Sequence, residues 1–358
     1  MATSHQVTVG DLLYTVVDDC TTIYWALLTG SVTDEILGEL YAPDFTVVTD
    51  RADLQLKKTA NGLFALTGYP DLSFPHHDTT SYNLNLLLKA PGFRDLSWVQ
   101  PVPAAQPFPI LIPAKPLRRL PVRIQGRVVN DLTRAPIPGA QVLSVDDPLN
   151  PPTVHTTALR TPLYFDHTLG AQAQNVTMNT PVTLSLTADV AFGDTLLNLL
   201  NRSGLAANSV IQLRNSSQTI VEYAVVDHLG PGAPAAGQVF LRNALNHSYP
   251  KSAAVTLFTP SLVGGPDTLS ADANAGDGVL LANQLLNGTP TLVVDSGALI
   301  AEYHEVGALT GSDGYYGLDG MGRVHEIFLF STQGGLQQTV PWFIEYDHAI
   351  NVVDLRLS

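Results

Sequence analysis

Alternation of apolar and polar positions is the most regular pattern along this chain. At positions 82–89 it runs through Tyr82, Leu84, Leu86 and Leu88. A period of two is typical of a strand that buries one face. Comparable runs occur at 324–330 and 351–357, and the 28 glycines and 25 prolines supply frequent turn signals. The pattern predicts an all-β protein.

One strand pattern is interrupted. Residues 122–129 predict a strand through Gly126, which a polar turn and a second apolar stretch at 135–142 follow. The expected next step, a tight turn with an aromatic residue that fills the core, arrives only at Asp313-Gly314-Tyr315-Tyr316. Because each half lacks strands that the other half supplies, we predict that 122–146 and 306–358 pair within one sheet. Residues 147–305 are then an insertion that forms a separate body.

These motifs resemble the carboxypeptidase regulatory-like, transthyretin-type β-sandwich, a family in which a Gly-Tyr-Tyr-like turn leads into a strand. A looser version of the same order begins at Gly62-Leu63-Phe64 and ends at Gly92-Phe93. The resemblance implies two such sandwiches, an N-terminal one at 1–103 and a second one split between 122–146 and 306–358. It also implies a non-catalytic domain, since the family's regulatory domain is not its catalytic domain.

Between the two sandwiches, residues 104–121 are predicted to be a proline-rich connector. Prolines at positions 107, 109, 113, 116 and 121 disfavour helix and central strand and favour an extended, semi-rigid segment. Its apolar side chains indicate that it lies against a surface. The candidate interface with a partner is therefore formed by Phe108, Ile110, Leu111 and Ile112.

The insertion at 147–305 carries an internal repeat of about 80 residues. The stretch 186–194 recurs as 269–277, and 220–223 recurs as 300–303. A third stretch, 159–163 followed by His167, recurs as 241–245 followed by His247. Two units are too few for a solenoid, so we predict tandem small β-barrel modules.

Composition and charge narrow the class of partner. The 45% hydrophobic and 14% charged composition is typical of a folded chain, and the net charge of −14 argues against nucleic acid and anionic membranes. No apolar run approaches the roughly 18 residues of a membrane span. Residues 1–6 lack the pattern of a signal peptide. This predicts synthesis in the cytoplasm, with a released particle as the route to an extracellular location.

We predict no catalytic residue, no cofactor and no metal. The adjacent pairs His304-Glu305 and His325-Glu326 point to opposite faces of a strand, so neither pair chelates an ion. His76-His77 has only Asp78 beside it, and the single cysteine, Cys20, has nothing nearby that would activate its thiol. The chain has neither a nucleophile-elbow motif nor a phosphate-binding loop.

Three further signals leave alternatives open. His167 and His247 are either paired ligands or side chains that close turns by hydrogen bonds. Loop carboxylates either bind calcium or cap turns, at Asp146, Asp147, Asp189, Asp194, Asp272, Asp277 and Asp313. Aromatic residues either stack on sugars or fill cores, at Tyr164, Phe165, Tyr249, Tyr315, Tyr316 and Trp342.

The sequence favours a non-enzymatic structural component of a multisubunit particle, such as a baseplate, spike-associated or shell protein of a phage-tail-like contractile injection system. Its expected partners are other protein subunits, itself included, without nucleic acid or membrane insertion. The alternative is a surface adhesin or a carbohydrate-binding β-sandwich protein. Sheath and tube genes beside its own gene would favour the first hypothesis, and binding on a glycan array the second.

Overall fold

A computed structural model describes residues 4–9, 12–17, 25–38, 44–59, 61–68, 81–104, 109–217, 219–265, 267–286, 291–294 and 301–358. All regular elements in these ranges are strands, so the all-β prediction is confirmed. No helix long and apolar enough to cross a bilayer occurs in them. The chain divides into two compact units, Met1–Arg119 and Leu120–Ser358. The predictions for Cys20, His76, His77 and Phe108 lie outside the described residues.

The first unit is built from short strands. Its described strands are Ser4–Val9 (β1), Leu12–Val17 (β2), Trp25–Asp34 (β3), Thr46–Thr49 (β4), Gln55–Lys58 (β5), Leu63–Gly68 (β6), Tyr82–Lys89 (β7), Leu96–Val102 (β8), Ile110–Leu111 (β9) and Lys115–Leu117 (β10). β1 pairs with β2, β10-β3-β6-β5 form a sheet with β9 also beside β3, and β4-β7-β8 form another. In β7 the predicted alternation is present, because Leu84, Leu86 and Leu88 are buried.

Residues 109–119 of the proline-rich segment belong to this unit, so they do not form the separate connector that is predicted at 104–121. β9 pairs parallel with β3 and places Ile110 opposite Leu28, and β10 also pairs with β3. Ile110 and Ile112 are 5% and 8% exposed and lie in the same core cluster as Leu28. Leu111, which points the other way, is 79% exposed. The period-two alternation at 110–112 thus determines the structure here. Pro109 and Pro113 flank β9, whereas Pro116 lies within β10.

The second unit contains the remaining strands. They are Val122–Asn130 (β11), Gln141–Val145 (β12), His155–Ala158 (β13), Gln172–Ser185 (β14), Leu196–Leu199 (β15), Val210–Arg214 (β16), Val221–Leu229 (β17), Gly237–Leu241 (β18), Ala254–Leu262 (β19), Asp267–Thr268 (β20), Val279–Ala282 (β21), Thr291–Val294 (β22), Ala301–His304 (β23), Ala308–Leu309 (β24), Tyr315–Met321 (β25), Glu326–Gln333 (β26), Leu336–Phe343 (β27), Ile350–Val352 (β28) and Leu355–Leu357 (β29).

Strands from the two ends of this unit pair with each other. β11 lies between β25 and β28, and β29 pairs with its C-terminal half. β12 pairs with β24 and β26, and β27 follows β26 in that sheet. Both sheets contribute to one core cluster, which includes Ile124, Val142, Leu318 and Leu329. The ranges 122–146 and 306–358 therefore pair as the sequence predicts, although in two sheets rather than one.

The tight turn expected before Tyr315 is formed. Gly314 has a φ of +73°, and a Cβ atom there would lie 2.7 Å from the carbonyl oxygen of Val128, so the turn requires glycine. Tyr316 is buried, and its hydroxyl donates to the carbonyl oxygen of Val353 at 2.7 Å. This aromatic residue thereby fills the core and also ties β25 to the C-terminal segment.

The insertion at 147–305 is not a separate body. β13 pairs with β21, and Ala158 and Val279 from these strands lie in the core cluster of β11 and β25. In addition, the amide of Gly278 donates to the carbonyl oxygen of Gly320 at 2.7 Å. Most of the remaining insertion forms one sheet in the order β15-β18-β17-β16-β19-β14-β22-β23, with β20 also beside β14. A sequence period identifies such repeats but does not indicate what their faces pack against.

The two copies of the repeat are nested rather than tandem. The inner repeat comprises residues 186–255, and the outer repeat comprises residues 155–173 together with 267–306. β14 and β19, which lead into and out of the inner repeat, pair antiparallel with each other. The two halves of the outer repeat therefore occur in the opposite chain order to their counterparts in the inner repeat.

Equivalent backbone hydrogen bonds identify the matching positions of the two repeats. His167 and Ala273 exchange two backbone hydrogen bonds in the outer repeat, and Tyr249 and Val190 exchange two in the inner repeat. Tyr249 is therefore the structural counterpart of His167. The match of His167 with His247 that the sequence suggests is wrong, because strand pairing rather than residue identity sets the register.

Candidate functional site

Each repeat buries one glutamate at the same position. Glu302 lies in β23 of the outer repeat, Glu222 lies in β17 of the inner repeat, and a tyrosine follows each of them. Their exposures are 2% and 0%. A carboxylate at such a position has to be matched by hydrogen-bond donors, because otherwise burial favours its neutral form. The donors around each glutamate therefore decide what the site can do.

Glu302 receives four donors. The backbone amides of Tyr164 and Phe165 lie 2.7 and 3.4 Å from its oxygens. Nε2 of His304 lies 2.8 Å from Oε2, and Nε2 of His167 contacts Oε1. Burial by itself raises the pKa of Glu302, but the charge of His304 and the hydrogen bonds from both histidines and the Tyr164 amide outweigh it and lower that pKa to about 2. Glu302 is therefore ionised at neutral pH.

Glu222 binds the matching turn of its own repeat and also one residue of the other repeat. The amide of Asn246, the counterpart of the Tyr164 amide, donates to Oε1 at 2.5 Å, and the Tyr249 hydroxyl donates to Oε2 at 2.9 Å. The hydroxyl of Tyr164 reaches across from the outer repeat to Oε1 at 2.6 Å. Burial, followed by the negative charge of Glu222, raises the pKa of Tyr164 and Tyr249, so both hydroxyls stay protonated donors.

The feature that both repeats share is a carboxylate that fastens a turn to a strand. In the inner repeat Tyr249 takes the place that His167 has in the outer repeat. Of the two alternatives for His167, the closing of a turn by a hydrogen bond is the one that the structure bears out. His247 instead places Nδ1 3.5 Å from Oε2 of Glu222. The buried carboxylates are thus structural elements of the repeats and hold the two copies together through Tyr164.

One part of this network has the order of groups found in hydrolase triads. Oγ1 of Thr161 lies 3.0 Å from Nδ1 of His304, whose Nε2 binds Glu302. A nucleophile has to present its oxygen to an incoming carbonyl carbon, with free donors aimed at the developing oxyanion. Thr161 is only 1% exposed, and the neighbouring Tyr164 amide is already bound to Glu302. The inner repeat has Asn243 at the position of Thr161, so it has a buried glutamate but no hydroxyl–histidine–carboxylate series.

We therefore expect the purified chain to hydrolyse p-nitrophenyl acetate no faster than its Thr161→Val variant. The substitution should instead lower the free energy of unfolding by about 1 kcal/mol, because Nδ1 of His304 loses its partner. Ester hydrolysis is followed by absorbance and unfolding by urea titration. A rate that falls at least about tenfold in the variant, with stability unchanged, would identify Thr161 as a nucleophile.

A cavity of about 560 Å³ lies beside this network in the second unit. Its walls come from several parts of the chain. They are formed by Arg123, Arg160, Thr161, Ser217, Thr219, Ile220, Val221, His247, Ala308, Leu309, Gly311, Ser312, Asp313, Tyr315, Tyr316, Gly317 and Asp319. Arg123 forms an ion pair with Asp319, with Nη1 2.6 Å from Oδ1. The volume lies in the range of small-molecule sites, and the walls carry polar groups at the mouth and buried ones inside. This cavity is the candidate binding site of the second unit.

Four of the loop carboxylates cap local turns, which is one of the two alternatives for them. Amides two or three positions away donate to Asp147, Asp194, Asp277 and Asp313. Asp189 and Asp272 instead accept from the amides of Lys251 and Leu169, which are 62 and 103 positions away. Asp146 instead contacts Nδ1 of His155 at 2.8 Å. Across the described ranges, no group of three or more histidine, cysteine, aspartate or glutamate side chains is placed to hold a metal ion.

The aromatic candidates divide into two groups. Tyr249 and Tyr316 are buried, and Tyr164 donates its hydroxyl to Glu222. These three fill cores and networks. Tyr315 is partly exposed and lines the cavity, with its hydroxyl against Oε1 of Gln125. Trp342 donates from Nε1 to Oδ1 of Asn351 at 3.2 Å. Tyr315 is the candidate whose position fits a ligand.

The interface candidates differ in burial. Ile110 and Ile112 pack in the core of the first unit, where the sequence predicts an exposed contact. Leu111 is exposed, and it lines a groove of about 480 Å³ together with Ile112, Leu63 and Lys57. Aspartate at Ile110 or Ile112 is therefore expected to destabilise the first unit, because both side chains are buried in its core.

Comparisons with known proteins leave the family open. No family model matches the chain. No curated protein matches it either. A crystal structure of the major pilin subunit of Bacillus cereus aligns over 92% of this chain and 98% of that chain, with 7% sequence identity and a TM-score of 0.19. A TM-score this low does not indicate a shared fold, so the pilin subunit says nothing about this chain.

Sequence reasoning missed the central residues of the buried network. Glu302 and His304 are two positions apart in β23, so the period of a strand already places them on one face. Sequence reasoning considered the adjacent pair His304-Glu305, whose side chains point to opposite faces, and did not consider the pair Glu302 and His304. The contact of Glu302 with His167 spans 135 positions and depends on the nesting of the repeats, which no local pattern indicates.

Proposed function

We propose that this chain is a non-catalytic structural subunit of a multisubunit protein particle. The observation that supports this proposal is a pair of edge strands that expose apolar side chains. β27 is the last strand of the sheet β24-β12-β26-β27, and β28 is the last strand of β25-β11-β28 within the described residues. β27 exposes Phe343, and β28 exposes Ile350 and Val352. Such edges offer unpaired backbone groups and apolar contacts to a neighbouring subunit.

The two edges are held by one buried side chain. Oδ1 of Asn351 accepts from Trp342 Nε1 and from the amide of Glu345, at 3.2 and 2.8 Å. Its Nδ2 donates to the carbonyl oxygens of Glu345 and His348. We call this arrangement the Asn351 hub. The Asn351 hub fixes the segment between β27 and β28. The exposed side chains of these strands are therefore already ordered before a partner binds, which lowers the entropy cost of association.

The proposed partners are other protein subunits, copies of this chain included. A net charge of −14 disfavours nucleic acid as a partner. The motifs around Gly314 and Tyr316, together with two sheets on one core, support a carboxypeptidase regulatory-like β-sandwich in the second unit. Among particles, we propose a contractile injection system of the phage-tail type, with this chain in the baseplate, beside the spike or on the shell. That choice rests on analogy of fold and composition.

Substitution of Phe343 and Val352 by glutamate is the direct test. The double variant should reduce the amount of chain that co-sediments with large complexes at least about tenfold, because two apolar contacts are lost and two charges are buried. Its melting temperature should stay near that of the unaltered chain. Leu132→Glu is the matched control, since Leu132 is 90% exposed in a turn.

The sedimentation of the unaltered chain at native concentration provides the second readout. If it sediments only as a monomer and never co-purifies with other subunits, the assembly proposal is wrong. Equal loss of co-sedimentation in the Leu132→Glu control would show that any added charge disrupts the complex, and would remove the support for β27 and β28 as the interface.

A further inference from the structure

The cavity of about 560 Å³ in the second unit is lined by a largely buried cation that forms no ion pair within the residues that the structure describes. This cation is Arg160, which is 8% exposed. The one hydrogen bond of its guanidinium in the described part of the chain runs from Nε to the carbonyl oxygen of Gly307, at a long 3.4 Å. The two terminal nitrogens make none there. The guanidinium therefore has donors left over for an anion that enters the cavity.

Glu305 compensates this charge only in part, without an ion pair to Arg160. Glu305 acts on Arg160 through space, but its Oε1 accepts from the Tyr223 hydroxyl at 2.9 Å and from Nε2 of Gln212 at 3.3 Å. Burial lowers the pKa of Arg160, with Glu305 opposing and Arg214 adding to the effect. An arginine keeps its charge even so, and therefore favours an incoming anion.

A second polar group in the wall lacks a partner. His247 lines the cavity, and its Nδ1 faces Glu222. Its other ring nitrogen makes no hydrogen bond to any residue that the structure describes. Arg160 and His247 thus supply a planar fork and a single ring nitrogen on the inside of one cavity, an arrangement that matches the two oxygens of a carboxylate and a neighbouring hydroxyl group.

The mouth of the cavity has a different chemistry. Ser217, Thr219, Ser312 and Asp313 line it there. The hydroxyls of Ser217 and Thr219 lie 2.9 Å apart, and Oδ1 of Asp313 accepts from the amide of Tyr315 at 3.1 Å. The ring of Tyr315 forms part of the same wall. Hydroxyls, a carboxylate acceptor and an aromatic ring are the groups that hold a polyhydroxylated ring. Because Asp313 and Asp319 also line the cavity, a ligand with one negative charge fits better than a doubly charged phosphate.

We propose that this cavity binds a small acidic saccharide, with its carboxylate on Arg160 and its hydroxyl groups on His247 and the residues of the mouth. The site is independent of the edges of β27 and β28, so it can be present whether or not the chain assembles. Arg160 and the mouth residues have no role in the assembly that is proposed for β27 and β28. The ligand class is a uronic acid or a short oligosaccharide that ends in one.

Calorimetric titration of the full chain with galacturonate, with galactose as the neutral comparison, tests the proposal. Galacturonate should bind at least about tenfold more tightly than galactose, since a charge-assisted pair is formed only by the acid. Arg160→Met should remove that difference. The matched control is Arg242→Met, because Arg242 is the counterpart of Arg160 in the inner repeat, contacts Asn208 and does not line the cavity.

A second variant guards against misfolding of Arg160→Met. Ser312 is exposed at the mouth, so Ser312→Trp should leave the melting temperature unchanged and block the cavity. Loss of galacturonate binding in both Arg160→Met and Ser312→Trp, with binding kept in Arg242→Met, supports the site. Equal affinity for galactose and galacturonate overturns the proposal, and so does galacturonate binding that survives in Ser312→Trp. Absence of binding at millimolar galacturonate and digalacturonate would also overturn it.

Discussion

Replacement of Glu302 by leucine should lower the free energy of unfolding of this protein by about 3–5 kcal/mol. The carboxylate is the common acceptor of His167, His304 and two backbone amides, and all of these donors are left without a partner inside the protein when it is removed. An unpaired buried donor costs the full desolvation of its group. Urea unfolding followed by tryptophan fluorescence or circular dichroism measures the change.

The contribution of Glu302 should also depend on pH in a defined direction. Its pKa is about 2 in the folded chain, below the value of about 4.3 for a free glutamate. A lowered pKa in the folded state stabilises the fold above the unfolded value, and that stability is lost as the pH falls through the folded value. The stability difference between the unaltered chain and Glu302→Gln should therefore shrink as the pH falls from about 4 to about 2.

Glu326→Leu is the matched control for this experiment, because Glu326 is an exposed glutamate at the start of β26. It should change the free energy of unfolding by less than about 0.5 kcal/mol. Equal effects of the two substitutions, or a Glu302→Leu variant as stable as the unaltered chain, would show that the network is not a structural element of the outer repeat.

Ile112→Asp is expected to unfold the first unit or to destabilise it by about 4 kcal/mol or more. Ile112 lies in the core cluster with Ile110 and Leu28, so the new carboxylate has to be buried without a partner or the segment has to leave its place beside β3. The neighbouring Leu111→Asp should change stability by less than about 0.5 kcal/mol, because Leu111 is exposed. Differential scanning calorimetry of both variants measures this contrast.

These two substitutions test directly whether residues 110–117 are part of the first unit or a separate connector. A free connector would tolerate both substitutions equally, whereas a strand with one buried face tolerates only the outward one. If Ile112→Asp melts at the temperature of the unaltered chain, residues 110–117 do not belong to the core of the first unit. They would then form a separate connector, as the sequence predicts.

The candidate site was less accessible from the sequence than the fold. The turn-capping role of some aspartates followed from residue type, and the local hydrogen bonds of Asp147 and Asp313 agree with it. The bonds of Asp189 and Asp272 to amides more than 60 positions away did not follow from it. The Glu302 network and the cavity around Arg160 join residues that are more than a hundred positions apart. No single window of the chain contains enough of either site to reveal it.

The sequence by itself determined the strand class, the glycine turn at Gly314 and the existence of a repeat, because each depends on side-chain period or local backbone geometry. Tertiary structure alone decided that the repeats are nested, that Tyr249 matches His167 and that Ile110 packs in a core. These outcomes depend on which strands pair. Strand pairing depends on contacts between residues that are far apart in the sequence. Alternative registers differ in which side chains they bury, and a local pattern does not contain that information.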